Sequence, residues 1–220
     1  MQTNWEKSQE YFRQRQISSF DVPEQLFSLV KDACYYSKEN GKPFNDTLAG
    51  HIKEEFLLPF NGTSAPQELL NFLYQSLVQG PFGESFSDQI VLSQPVPPFL
   101  GSMWVNFQKK HEFNPIHLHT GVASFIIFVK IPYDLQEEED YFEVVAGGDT
   151  KYTSKLSFVT VSHNGYIDSE PVDVDKSFEG KMLFFDAKHR HLVYPFYTSD
   201  DYRITVSGNI LYDTRGAGGQ

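Results

Sequence analysis

The chain has 220 residues, 40% of them hydrophobic and including 20 Phe and 12 Tyr, enough apolar material for one large β domain or two small ones. Eighteen Lys and Arg against 29 Asp and Glu leave a formal charge of -11, which argues against a role that rests on gripping a duplex phosphate backbone. A single cysteine, Cys34, excludes an internal disulfide and suits a reducing cytosol. The longest apolar run, Val122 to Val129, falls far short of the roughly 20 residues of a membrane span, and the N-terminus has no apolar signal core, so a soluble, unprocessed cytoplasmic protein is expected.

In chain order, Asp21 followed by Pro23 and Glu24 predicts a helix start, with Leu26, Leu29, Val30, Ala33 and Cys34 at helical spacing and Gly41 as the stop. A second amphipathic helix is predicted from Ser64-Ala65-Pro66-Gln67, carrying Leu69, Leu70, Leu73, Leu77 and Val78 until Gly80-Pro81. Neither stripe holds a cluster of ionisable groups, so both helices read as scaffold. From Pro95 the texture changes to short strands between turn residues. The expected strands are Met103 to Gln108, Pro115 to His119, Ser124 to Ile131, Tyr141 to Ala146, Leu156 to Ser162, Lys181 to Phe185, Arg190 to Tyr194 and Tyr202 to Ile210. Glu137 to Asp140, Gly147-Gly148-Asp149 and Asn164-Gly165 read as loops, the first of them solvated. The expectation is one mainly β domain: residues 1–95 a helical N-terminal support, 96–212 a β sandwich, 213–220 a flexible Gly-rich tail.

The residues with chemical content cluster in two places. His117 and His119 in Asn114-Pro115-Ile116-His117-Leu118-His119-Thr120-Gly121 are one residue apart, and on a strand such a pair shares one face. Far downstream, His189-Arg190-His191 offers a third imidazole from another strand. Nitrogen-rich facial sites with open positions suit ferrous iron. His51 and His163 read as structural or surface histidines, and His111 as a bystander near the site. On the last strand Arg203, Thr205, Ser207 and Asn209 share a polar face opposite Ile204, Val206 and Ile210. A planar guanidinium with a hydroxyl two residues on forms a fork for a carboxylate.

The series FNPIHLHTG, SFIIFVKIP, HLVYPF and YRITVSGNI resembles the 2-oxoglutarate- and Fe(II)-dependent oxygenases, in particular a group of hydroxylases from bacteria and marine phages, over roughly residues 100 to 212. The resemblance implies a double-stranded β-helix (jelly roll), with Fe(II), 2-oxoglutarate and O2 as the working set, succinate and CO2 as products, and hydroxylation of an unidentified small molecule or protein side chain. On it, His117 falls at the first iron ligand and His191 at the distal one, with His189 the alternative. Arg203 and Thr205 fall on the Arg-x-Ser pair that binds the cosubstrate, with Asn209 further along the same face. Many relatives carry a carboxylate where this chain has His119, so either three histidines hold the iron or His119 lies behind two protein ligands and a water. Two other readings remain: a cupin, which needs a Glu soon after the His pair where Thr120 to Phe125 has none, and a jelly-roll binding module without catalysis.

Overall fold

A computed structural model describes residues 2–60, 64–89, 96–146, 152–162 and 164–212. In chain order its elements are α1 (Asn4–Lys7), α2 (Gln9–Gln14), β1 (Ser18–Asp21), α3 (Glu24–Asn40), β2 (Glu54–Leu57), α4 (Gln67–Leu77), α5 (Gly80–Gln89), β3 (Pro98–Gln108), β4 (Asn114–His117) and β5 (Ala123–Lys130). There follow α6 (Leu135–Ala146), β6 (Leu156–Phe158), β7 (Thr160–Val161), β8 (Ile167–Asp168), β9 (Pro171–Val172), β10 (Lys181–Asp186), β11 (His191–Val193) and β12 (Arg203–Tyr212). The protein is mainly β with antiparallel sheets and flanking helices. A six-stranded sheet runs β1-β10-β5-β12-β3-β2, a four-stranded sheet runs β4-β11-β6-β9, and β7 and β8 pair by themselves.

Strict alternation on the long strands assigns the two faces of the large sheet. Met103, Val105 and Phe107 of β3, Phe125, Ile127 and Val129 of β5, and Ile204, Val206 and Ile210 of β12 pack against Val30 and Cys34 of α3, Leu69, Leu73 and Leu77 of α4, and Phe82 of α5. Cys34 is core, and burial pushes its thiol up to about 12. The opposite face supplies Ile126, Phe128, Leu183 and Phe185 to a second core shared with Leu156, Phe158 and Val172 of the small sheet. At one end of this inter-sheet space the side chains are polar, and the functional cavity lies there.

Several expectations are corrected. Residues 1–95 are not only helical: β1 and β2 add the two edge strands of the large sheet. Asp21 ends β1, where its carboxylate accepts from Lys181 Nζ at 2.6 Å, and the residue before the first turn of α3 is Pro23. α4 ends at Leu77, ahead of Gly80-Pro81 as expected, but that pair opens a further helix, α5, and Val78, 68% exposed, caps α4 instead of joining its apolar stripe. The segment predicted as the strand Tyr141 to Ala146 is the C-terminal half of α6, and the acidic run is its first turns. The Asp134 carboxylate accepts from the Gln136 backbone N–H at 2.9 Å and caps this start, where acidic side chains also meet the helix dipole, and capping overrides the β preference of Val144 and Val145. Glu138 in that run is fully buried, accepting from Tyr197 N, Thr198 N, Thr198 Oγ1 and Thr153 Oγ1. The predicted strand Leu156 to Ser162 splits at Val159 into β6, in the small sheet, and β7. Gly147-Gly148-Asp149, His163 and the tail 213–220 lie outside the described residues. Among the described residues no helix is long and apolar enough to cross a membrane.

Candidate metal centre and the polar cavity around it

β4 and β11 are antiparallel neighbours in the small sheet, and their register makes His117 and His191 direct partners, with ring centroids 4.2 Å apart. His119 lies past the end of β4, so the expected strand alternation does not place it. Its backbone N–H donates to Ala187 O at 2.8 Å, which turns the ring inward to stack on Trp104 of the large sheet at 5.4 Å. Gly121, at φ +97, follows in the left-handed region and runs so close to Ile210 O that a Cβ would stand 2.4 Å from it, which lets the chain turn back into β5. The ligand atoms of His117, His119 and His191 all lie within 4.8 Å of one another.

The hydrogen bonds at the far side of each ring decide what the near side can do. His117 Nδ1 faces Pro115 O at 2.8 Å, His191 Nδ1 faces His189 O at 3.0 Å, and His119 Nδ1 faces Asn209 Oδ1 at 3.2 Å. Each partner is an acceptor, so each Nδ1 carries the proton and each Nε2 turns a lone pair inward. His119 Nε2 and His191 Nε2 are 3.2 Å apart, and two lone pairs at that distance repel unless a cation lies between them. Two nitrogens bound at right angles to one ion about 2.1 Å away stand about 3 Å apart, so the donor set fits a facially bound metal. All three imidazoles are held neutral, as a metal requires. Burial lowers His117; burial and then His117 bring His119 down to about 4; burial and then its two neighbours take His191 well below the usual range.

The cavity over this cluster has a volume of about 300 Å³. Its large-sheet wall is the inner row of β12, Arg203, Thr205, Ser207 and Asn209, beside the inner row of β3, Ser102, Trp104, Asn106 and Gln108. Arg203 is 3% exposed and has no carboxylate partner among the described residues. Nε and Nη2 donate to Gln108 Oε1 at 3.0 and 2.7 Å, Nη1 to Tyr133 Oη and Ser154 O, and Nη2 also to Tyr194 O. Every acceptor is neutral, so a full positive charge stands at the cavity wall without compensation. Thr205 Oγ1 accepts from Asn106 Nδ2 at 3.4 Å. Asn209 is turned elsewhere: its Oδ1 accepts from His119 Nδ1 and from Ser124 Oγ, and its Nδ2 donates to Thr120 Oγ1. On the edge strand of the same sheet Glu55 of β2 also lines the cavity, and burial first, then the Glu112 carboxylate, push its carboxyl up to about 7 against the hydrogen bond from Asn45.

Residues 102–209 match the model of a family described as "Putative 2OG-Fe(II) oxygenase". The chain carries a 2OG-Fe(II) oxygenase domain. The family's cofactor set is Fe(II), 2-oxoglutarate and O2, and the three-histidine cluster suits the iron. Two solved structures resemble the oxygenase in fold. A Pseudomonas putida prolyl-4-hydroxylase shares 13% identity at TM-score 0.52, over 87% of this chain and 90% of that one. The non-heme alpha ketoglutarate dependent carbocyclase SnoK from nogalamycin biosynthesis shares 13% identity at TM-score 0.50, over 97% of this chain and 87% of that one. A comparison with curated proteins finds no match.

Of the predicted site residues, His117, His119, His191, Arg203, Thr205 and Asn209 all line the one cavity of the oxygenase described above. His189 instead borders a separate shallow depression with Arg15 and Asp186 and packs on Phe158, and its part in the cluster is the carbonyl that orients His191. His51 stacks on Phe113 and His111 packs on Tyr197, both outside the cluster. Sequence reading passed over Gln108, Asn106, Asn114 and Glu55. The alternation of Ser102, Trp104, Asn106 and Gln108 with Met103, Val105 and Phe107 carries a signal for two of them, whereas the short edge strand around Glu55 carries none.

Proposed function

We propose that this oxygenase is a hydroxylase built on a double-stranded β-helix, with Fe(II) held by His117, His119 and His191 and 2-oxoglutarate held by Arg203 and Thr205. The jelly-roll assignment is supported by the path of the chain, which passes from large sheet to small and back through β3, β4, β5 and β6, and again through β9, β10, β11 and β12. Because β1 and β2 extend the same sheet, the described residues form one domain on this reading. The observation that carries the site is the convergence of three Nε2 lone pairs whose Nδ1 atoms are all tied to acceptors.

When bound by these residues, Fe(II) would let O2 act as the oxidant, one oxygen atom going to 2-oxoglutarate as it loses CO2 to become succinate and the other to the prime substrate as a hydroxyl group. The protein's own part is positioning. Asn209, Pro115 O and His189 O hold the ligand rings in one tautomer. Arg203 offers the uncompensated charge that a distal carboxylate answers, and the Thr205 hydroxyl stands beside it as a donor. Ile126, Phe128, Leu156 and Val193 keep the floor of the cavity dry, which strengthens these interactions. The prime substrate is a small molecule or protein side chain, since an acidic chain does not suit a duplex, and a reducing cytosol suits the single buried thiol of Cys34.

Anaerobic titration with Fe(II) and then 2-oxoglutarate, followed by a succinate assay over pooled candidate substrates, tests the proposal. Binding of both ligands is expected. Metal uptake without 2-oxoglutarate binding would favour the cupin reading, and uptake of neither would favour a binding module.

A further inference from the structure

The part of the large-sheet wall that runs from Thr205 out to the edge strand β2 has no task in the chemistry above beyond the Thr205 hydroxyl. Glu55 on β2, Asn106 on β3 and Thr205 on β12 are successive partners across three adjacent strands, so their side chains form one row on the cavity face. Glu55 is 1% exposed, and its one hydrogen bond among the described residues comes from Asn45 Nδ2 at 3.2 Å. It forms no ion pair with a described Lys or Arg; the charge that acts on it is another carboxylate, Glu112. Asn106, 6% exposed, gives its Nδ2 to Thr205 and leaves Oδ1 buried without a partner, and Asn114 Oδ1 is in the same state.

These acceptors address a common space. Asn114 Oδ1 and Glu55 Oε1 lie 2.1 and 3.3 Å from the point a Cβ on Gly50 would occupy, so the two oxygens converge on this glycine and any side chain there would displace the first of them. Arg203 is the one cation and Glu55 the one anion among the described lining residues, which gives the cavity an anion-binding end and a cation-binding end. An alcohol would bring a single donor to this wall and a carboxylate would be repelled by it. An ammonium group brings a positive charge and three N–H donors with no acceptor of its own.

We propose that the prime substrate is a primary amine whose ammonium group is held by the Glu55 carboxylate and by the amide oxygens of Asn106 and Asn114. The inference rests on the oxygenase reading, which places the reacting carbon at the imidazole end. Asn114 and His117 are three residues apart on β4, about 10 Å of extended chain, so the nitrogen sits several bonds from that carbon. A cation beside Glu55 also returns its carboxyl to the ionised form, offsetting the burial and the Glu112 charge.

The test is anaerobic calorimetric titration of the protein loaded with Fe(II) and 2-oxoglutarate, using straight-chain amines from propylamine to hexylamine and the alcohols and carboxylates of matching length. The expected result is saturable amine binding at least tenfold tighter than that of the matching alcohol, strengthening along the series. Glu55→Gln, isosteric and uncharged, should lower amine affinity at least tenfold while 2-oxoglutarate affinity is retained. Alcohols or carboxylates binding as tightly as amines, no amine binding at all, or an unchanged Glu55→Gln variant would each overturn the proposal. The amine-to-alcohol ratio of the unmodified protein decides the matter even if that variant does not fold. Loss of the underlying oxygenase reading would show separately, as failure of 2-oxoglutarate itself to bind.

Discussion

Asn209→Ala separates two roles for one side chain, cosubstrate contact and control of a metal ligand. Among the described residues Asn209 Oδ1 is the side-chain acceptor that faces His119 Nδ1, at 3.2 Å, while one N–H of its Nδ2 donates to Thr120 Oγ1. Removing the amide leaves the imidazole packed on Trp104 but free to carry its proton on Nε2, the nitrogen that must be bare to bind a metal. Ser124 Oγ keeps its stronger bond to Gly208 O at 2.9 Å, so the sheet itself is little disturbed. Loss of such an orienting partner typically weakens metal binding 10- to 100-fold, or about 1.4 to 2.8 kcal/mol. Anaerobic Fe(II) titration of the variant, repeated with Co(II) so that ligand-field absorption reports the coordination, should give a loss in that range. Asn209→Asp, which restores an acceptor, should recover the affinity. Unchanged metal affinity combined with weakened 2-oxoglutarate binding would refute this reasoning and return Asn209 to the cosubstrate.

Arg203→Ala should weaken 2-oxoglutarate binding tenfold or more at unchanged iron content, since it removes the one cation among the described lining residues of the cavity; it also strands Gln108 Oε1 and the Tyr194 carbonyl, whereas Ser154 O keeps its bond from Tyr133 Oη, so a lower melting temperature should accompany it. Equal 2-oxoglutarate affinity in variant and parent would count against the assignment. His191→Ala should abolish stoichiometric iron binding while His189→Ala keeps most of it, because the contribution of residue 189 is a backbone carbonyl; metal content of the purified variants reads this directly, and the reverse order would move the ligand by two residues. Glu55 gives a pH signature. Its carboxyl is raised from 4.5 to about 7 in the folded state, so its contribution to stability is whole below pH 4.5 and is lost as pH rises through 7. At about 1.36 kcal/mol per unit the loss amounts to roughly 3 kcal/mol, and metal-free Glu55→Gln should therefore gain stability over the parent between pH 5 and pH 8 in urea unfolding. Parallel pH profiles of the two proteins would contradict the burial argument.

Local chemistry in the sequence is enough to mark the polar and apolar faces of the long strands, the imidazoles at residues 117, 119 and 191, and the Arg203-Ile204-Thr205 fork, because period-two alternation and residue type survive without any knowledge of neighbours. It also fixes the helical stripe of α3 and the core position of Cys34. Tertiary structure decides which polar group answers which. His119 meets Asn209 from 90 residues away and His191 from 72, and Arg203 meets Gln108 from 95. Those pairings set Asn209 against the His119 ring, and they bring the side chain of His191, not that of His189, beside His117 and His119. They also buried Glu138, which looks solvated in an acidic run, because donors from residues 153, 197 and 198 arrive around it. The physical reason is that a buried polar atom takes its role from the donors and acceptors that desolvation forces it to face, and these are brought together by strand register across the whole chain.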